Sequence, residues 1–499
     1  MEISVLEWLE KTADHFPNKP VFCDRDSSVT FADVFTRAKA IGSAIAAKGI
    51  CKKPVAVISG RHCMTPVTYL GVIYSGCFYA PIDSSLPIQR INLILETLQP
   101  ALILTDAANR DFIKKLDYQG DAMVAEEAAI HPICQTELAR IRRFANENDP
   151  LYVIFTSGST GRPKGVITSH HALMCYIDAY SQVMGISSSD VLGNQSPLDY
   201  IAAVRDIYLP LRHGCSMVII PKELFMTPVK LFDYMNEHQV SAVGWSVSAL
   251  TVPASLKAFD HGKPAFLKKI CFSGSVMPCK YLKLWQENLP DTLFVNQYGP
   301  TEATASCTYY IVRERVNEED VLPIGLPYRD YRVFLLNSKN EPVKEGEEGE
   351  ICVSGPILAL GYYNDPERTA ESFIQNPLNS LYRELIYKTG DIGVFRKDGI
   401  LEFHGRKDRQ IKHLGHRVEL DEVERAAGAV TGVLECCVLY DKPAETIFLY
   451  YTGTATAKEI AVDMRKSLPG FMIPRKIICL ETMPKLPNGK IDMAALKNR

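Results

Sequence analysis

Nothing in these 499 residues approaches the roughly 20 consecutive apolar positions that a bilayer-spanning helix needs. A secretory leader is not expected either. The chain opens MEISVLEWLEKTADHF, with Glu2, Glu7 and Glu10 where a leader would carry a basic start and an apolar stretch. Charge of one sign is not in excess: the formal net charge is −3 and the pI about 6.4, so no global field draws the chain to nucleic acid or an anionic membrane. Cysteine occurs 14 times, yet without a CxxC pair or a Cys/His cluster of zinc-ligand spacing. Most thiols sit among apolar neighbours, as Cys271 does in ICFSG and Cys436 and Cys437 do in ECCVL, which reads as buried and reduced. The expectation is a cytoplasmic protein with neither nucleic acid nor membrane as partner.

What is present is the composition of a globular chain, 46% hydrophobic and 23% charged, too long for one ordinary core. Short apolar runs, PVAVISG (54–60), ALILTD (101–106), LYVIFTSG (151–158), CSMVIIP (215–221) and KKICFSG (268–274), look like buried strands. Helical patterns such as 31–49 and 228–240 lie between them, and this alternation predicts an α/β fold with layered, largely parallel sheets. From about residue 330 the texture changes to strands (333–337, 349–355, 392–396, 400–405) broken by Gly, Asn and Asp turns, a small β subdomain. A polar, charged segment, 406–417, leads into a compact helix–strand–strand–helix unit. The expected organisation is a large N-terminal domain, 1–407, and a small α+β C-terminal domain, 408–499.

Directly after LYVIF comes TSGSTGRPKG, residues 156–165. It gathers the hydroxyls of Thr156, Ser157, Ser159 and Thr160, the glycines Gly158, Gly161 and Gly165, and Lys164. Glycines let backbone N–H groups approach an anion closely, and hydroxyls and a lysine add donors for phosphate oxygens. The Walker pattern GxxxxGK[ST] is absent. A flexible surface loop is the bland alternative, but a buried strand feeding this density of donors argues against it.

This segment resembles the phosphate loop of the adenylate-forming (acyl-AMP) superfamily, which includes acyl-CoA synthetases, luciferases and the adenylation domains of nonribosomal peptide synthetases. Other segments match in the family's order along nearly the whole chain: VTFADV (29–34), YLGVIYSGCFYAPID (69–83), NQYGPTE (296–302), GEICVSGPILALGYY (349–363), YKTGDI (387–392), GRKDRQIKHLGHRVELDEVE (405–424), LPGFMIP (468–474) and NGKID (488–492). The resemblance implies ATP and Mg²⁺ as cofactors. It puts Tyr298 against the adenine face, Asn296 on its edge with Gly299 in the same motif, and Thr301 on phosphate. Glu302 would hold Mg²⁺, a hard cation suited to carboxylate oxygen. Asp391 would take the ribose hydroxyls, with Arg406 near the same sugar or phosphate. Alone, Tyr298 would be a core aromatic and TGD a turn; the other motifs lend them their roles.

The same resemblance makes Lys490 the catalytic candidate. Acyl-AMP formation brings a carboxylate to the α-phosphate, and a lysine reaching both neutralises charge where it develops. Outside that context, a Lys in an Asn-Gly turn would be a solvated surface residue. By analogy the C-terminal domain is mobile and rotates about a hinge at Asp408.

HLGHRVELDEVE and LPNGKID resemble the peptide-synthetase branch, which passes its acyl group to the phosphopantetheine of a carrier protein. The expectation is a stand-alone enzyme, similar in layout to D-alanine–carrier protein ligases, loading its carrier in trans. Amino-acid-activating members have a Phe-Asp-x-Ser segment whose Asp pairs with the substrate ammonium, and here the region reads SPLDYIAAVRDIYLPLRHG (196–214). Aligned on Leu198-Asp199, Asp199 takes that place. Aligned on DIYLPLRHG, Ile201 takes it, Arg205 faces the pocket, and Asp199 or Asp206 would reach an ammonium only from a shifted position. An amino acid, β-amino or otherwise unusual, is the first expectation, because a buried ammonium needs an anionic partner. The other is an acid without an amine whose second carboxylate meets Arg205; an exposed Arg205–Asp206 helix pair is the plain alternative to both. Further walls are expected from 245–249, Ser273, Gly274 and 304–307, small and polar. An acyl- or aryl-CoA ligase and a catalytically silent nucleotide-binding scaffold stay open as alternatives.

Overall fold

Runs such as PVAVIS and LYVIF are apolar on both faces because the sheets they enter are covered on both sides. In a computed structural model, which describes residues 2–158, 161–442, 444–486 and 491–497, each such run is a strand: Pro54–Ser59, Leu102–Thr105, Pro150–Thr156, Ser216–Ile219 and Lys269–Ser273. Pro54–Ser59 lies between Phe78–Asp83 and Leu102–Thr105, all parallel, in a seven-stranded sheet that also carries Pro150–Thr156 and, antiparallel to it, Lys164–Ser169. A nine-stranded sheet holds Val191–Asn194, Ser216–Ile219, Ala242–Ser246, Lys269–Ser273 and Leu293–Tyr298 as parallel neighbours. One apolar cluster joins the two sheets, with Val57, Tyr79 and Tyr152 from the first and Met217, Cys271 and Val295 from the second. The helix Phe31–Ala46 that packs into it starts at a capping box: Asp33 N donates to Thr30 Oγ1 (3.2 Å) and Thr30 N donates to Asp33 Oδ2 (3.0 Å).

The β subdomain is a five-stranded antiparallel sheet of Arg332–Leu336, Gly349–Ser354, Phe373–Gln375, Leu385–Phe395 and Leu401–Arg406. YKTGDI and IGVFR are parts of one 11-residue strand, Leu385–Phe395, so Thr389-Gly390-Asp391 lies inside a strand and not in a turn. The small C-terminal domain has its own core of Val418, Val423, Val438, Leu449 and Met464, formed by the helices Leu420–Gly428 and Ala457–Met464 on a three-stranded sheet.

The polar segment read from sequence as a connector is in part a hairpin. Gln410–His413 pairs with His416–Glu419 across a turn of Leu414 (φ 50°) and Gly415 (φ 82°). Two consecutive positive φ values suit a two-residue hairpin turn and favour glycine. A Cβ at Gly415 would come within 2.9 Å of Ser246 Cβ, so the tip presses on the large domain. A buried ion pair, Arg90–Glu422, holds the C-terminal helix Leu420–Gly428 to the same domain.

Candidate active site

The hairpin tip enters a cleft on whose other walls the motifs converge. Strands Pro150–Thr156 and Lys164–Ser169 pair Thr156 with Lys164, so the segment between them is the tip of a β-hairpin. A Cβ at Gly158 would fall 2.1 Å from the Arg162 carbonyl oxygen, and Gly161 has φ 81°, which explains glycine at both. Ser157 Oγ donates to the Arg417 carbonyl (2.9 Å), while Thr156 Oγ1 is buried without a partner. Ser159, Thr160 and Lys490 lie outside the described residues.

Lys164 points inward to Glu302. Its Nζ is 3.1 Å from Glu302 Oε1 and 3.2 Å from the Tyr362 hydroxyl, which itself donates to Oε1 at 2.7 Å. Arg417 Nη1, on the C-terminal hairpin, spans both carboxylate oxygens at 3.1 and 2.9 Å. Glu302 is fully buried. Burial alone would raise its carboxyl, but Arg417 and then Lys164 pull it far below the ordinary carboxylate range. Burial and the neighbouring Arg417 bring the Lys164 ammonium down to about 8 against the opposing pull of Glu302. An ionised carboxylate among cations is the donor that Mg²⁺ takes, yet both oxygens are engaged here. Among the described residues no group of three or more His, Cys, Asp or Glu could hold a metal. The donor set therefore fits one protein carboxylate completed by phosphate oxygens and water, with Arg417 withdrawn.

Asp391 and Arg406 face one another across neighbouring strands, registered as partners. Arg406 Nη1 donates to Asp391 Oδ1, and its Nε and Nη2 donate to Asp408 at 2.6 and 2.7 Å. The Tyr298 hydroxyl donates to the other Asp391 oxygen, and Lys412 of the hairpin stands 5.6 Å from the Tyr298 ring. Lys412 is buried, which lowers its ammonium against the pull of Asp391. Asn296 Nδ2 donates to the Pro323 carbonyl at 2.8 Å. A Cβ at Gly299 would meet the Ser306 backbone at 2.4 Å, so this bend needs glycine. Next to it Thr304 (φ 44°) and Ala305 (φ 74°) hold left-handed backbone without being glycine, a strain that functional sites tend to store.

A cavity of about 80 Å³ is lined by Ile201, Arg205, Ser246, Ser273, Gly274, Gln297 and Thr301, and by Asp391, Lys412 and Arg417. Arg205 lines it; Asp206 and Asp199 do not. Asp206 accepts from Asn194 Nδ2 (2.8 Å) and has Oδ1 3.4 Å from Arg205 Nε. Burial pushes its carboxyl up to about 6 against the pull of Arg205, so the pair is ionised at neutral pH. The exposed-pair reading of Arg205 and Asp206 fails: they are 2% and 3% exposed. Asp199 faces a second cavity, of about 530 Å³, lined also by Asp83, Arg90, Lys222, His416 and Phe471. That cavity runs between the large domain and the Leu468–Met472 segment, with His416 stacked on Phe471 at 3.9 Å.

Reading the sequence missed Arg417, Lys412 and Tyr362. The signal for the first two was the density of cations in the polar segment 406–417 beside a nucleotide motif; all three residues were quoted within motifs but given no task.

A family model described as "AMP-binding enzyme" matches residues 9–363. Tyrocidine synthase 1 of Brevibacillus parabrevis is 28% identical over 99% of this chain, which spans 45% of that protein. The chain thus covers less than half of that relative's length. The D-alanine–D-alanyl carrier protein ligase of Bacillus cytotoxicus is 27% identical over 99% of both chains. Among solved structures, the Vibrio cholerae adenylation domain AlmE in complex with glycyl-adenosine-5'-phosphate superposes with a TM-score of 0.85 at 22% identity, over 100% of this chain and 98% of that one. The o-succinylbenzoate CoA synthetase MenE of Bacillus subtilis superposes at 0.84 and 20%, over 99% and 98%. At these identities the structural likenesses establish the fold, a large domain of α/β sheets with a smaller C-terminal one.

Proposed function

We propose that this chain, which belongs to the AMP-binding enzyme family, is an adenylate-forming enzyme that activates a carboxylic acid and carries the acyl group on to the phosphopantetheine thiol of a carrier protein. The carrying observation is the convergence on one cleft of Lys164 and Glu302 with Asp391 and Arg406. In this reading the acid's carboxylate oxygen attacks the α-phosphorus of ATP, the bond to the β-phosphate oxygen breaks, and pyrophosphate leaves. Lys164 stabilises phosphate oxygens, Glu302 holds Mg²⁺, which neutralises phosphate charge, and Asp391 orients the ribose. Lys490 bridges carboxylate and α-phosphate. The domains divide near Asp408, whose two bonds to Arg406 would anchor one side of a hinge.

Two readings of the acid have separate support. An amino acid is supported by the carrier-ligase likeness and by Gln297, a cavity-wall residue whose buried Oε1 lacks a donor. An acid without an α-amine is supported by the cavity wall, where Ile201 stands and the one carboxylate, Asp391, is already taken by Arg406 and Tyr298. The geometry favours the second. Acid-dependent ATP–pyrophosphate exchange across α-, β- and D-amino acids, aryl acids and short aliphatic acids tests it. Exchange confined to amino acids would overturn the amine-free reading, and thioester formed on free CoA without a carrier would overturn the carrier. Lys490→Ala should abolish exchange and leave ATP binding intact; near-normal exchange would remove Lys490 from the mechanism.

A further inference from the structure

Arg205 is a charged group of the cleft's large-domain wall that the reaction above leaves idle. We propose that Arg205 receives a second carboxylate at the far end of the acid, making the substrate a short dicarboxylic acid activated at one end; this rests on the acid-activation reading.

Arg205 is built in, not draped over the surface. It stands on the helix Ala203–His213, is 2% exposed, and lines the acid side of the cavity with Ile201 and Ser273. Its guanidinium lies flat on the strand Ala242–Ser246 because residue 244 has no side chain: a Cβ at Gly244 would sit 2.1 Å from Arg205 Nε. Nη2 donates to the Gly244 carbonyl, while Nε is buried without a hydrogen-bond partner. Its contact to Asp206 Oδ1 is a long 3.4 Å, so this buried N–H is under-satisfied and a bound anion would strengthen its pairing.

Asp206 does not cancel this charge. It is shared with a second guanidinium, Arg61, which donates to Ile220 O, Asn194 O and Asn194 Oδ1 at 2.6 to 2.8 Å and feels the same carboxylate. Arg205 and Arg61 thus both draw on Asp206, so its carboxylate is not given over to Arg205 alone. Ile201, Ser246, Ser273 and Gly274 line the same cavity as Arg205, which measures about 80 Å³ with the hairpin Gln410–Glu419 seated in it.

Two measurements test this on the full-length chain. The first is calorimetric binding of non-hydrolysable acyl-sulfamoyl-adenosines carrying succinyl, glutaryl or glutamyl groups, each paired with its terminal carboxamide. A free terminal carboxylate should bind on the order of 100-fold tighter than its amide. Arg205→Met should erase the preference and Arg205→Lys keep part of it. Amides binding the wild type as tightly, or no analogue binding at all, would overturn the proposal; if Arg205→Met does not fold, the wild-type pairs decide alone. The second is pyrophosphate exchange on the free acids, succinate, glutarate, aspartate and glutamate against butyrate, valerate and norvaline. Monocarboxylic acids exchanging as fast would sink the role of Arg205 while leaving acid activation standing. Carboxylate-selective binding with no exchange would do the reverse.

Discussion

Among the guanidinium–carboxylate pairs around the cleft, Arg205–Asp206 and Arg417–Glu302 differ in what holds them. Arg205 and Asp206 are neighbours on a single helix, so no rearrangement of the domains separates them. Glu302 gathers Lys164, Tyr362 and Arg417 from three distant segments, one of them the C-terminal hairpin. Its counter-ion set is therefore exchangeable: if the hairpin withdraws, Arg417 leaves and a metal ion can take its place without leaving a bare buried anion. The acid side of the cleft is fixed in charge and shape, as selection of one substrate requires. In the proposed mechanism the nucleotide side is the one that reconfigures, as a site that must admit, react and release charged species requires.

The strongest way to break this contrast is to remove the carboxylate that makes the nucleotide side exchangeable. Glu302→Gln leaves Lys164 and Arg417 facing each other without an anion. Breaking such a buried pair should cost about 3 kcal/mol of stability, read from denaturant unfolding. Pyrophosphate exchange should fall on the order of 100-fold. Exchange near the wild-type rate would mean that Glu302 is a structural residue like Asp206.

A gentler variant sharpens the contrast. Arg417→Met frees one arm of Glu302 and leaves Lys164 in place. If Arg417 competes with the metal, the apparent affinity for Mg·ATP should rise about tenfold, a coupling of ordinary size. A fall instead would make Arg417 a permanent counter-ion, as Arg205 has.

The same division separates what could be read from the sequence from what could not. Buried strands, the phosphate-loop glycines and Glu302 were legible because each rests on local requirements: apolar runs, positive φ or close backbone approach, a carboxylate in a seven-residue motif. The acid pocket was not, because the segment 196–214 admits two registers and only the packing of Arg205 on Gly244 tells which side chain enters. Arg417 was illegible for another reason. A cation in a polar segment looks solvated until a domain 115 residues away in sequence supplies its carboxylate. Thr-Gly-Asp is turn-like alone, and pairing with Arg406 shows the segment around Asp391 to be extended.

The smallest effect contrasts two carboxylates by the direction in which they titrate. Glu302 is held below its ordinary range by Arg417 and Lys164 against burial, so the stability it adds is present above about pH 4.5 and lost as pH falls further. Asp199 is pushed the other way, up to about 6, by burial first and by the nearby Asp83. Unfolded, it would titrate near 3.9, so between about pH 4 and 6 the folded chain holds the extra proton and stability declines as pH rises. Asp199→Asn abolishes that decline. The variant should match the wild type near pH 4, gain on it up to pH 6, and hold a constant advantage of about 1 kcal/mol above that, since Asp199 borders a water-accessible cavity. Unfolding midpoints measured from pH 4 to 8 read it directly. A loss of stability at pH 7 would mean that Asp199 pairs with a cation in the folded chain, and the aspartate would then return as a partner for a substrate ammonium entering through the second cavity.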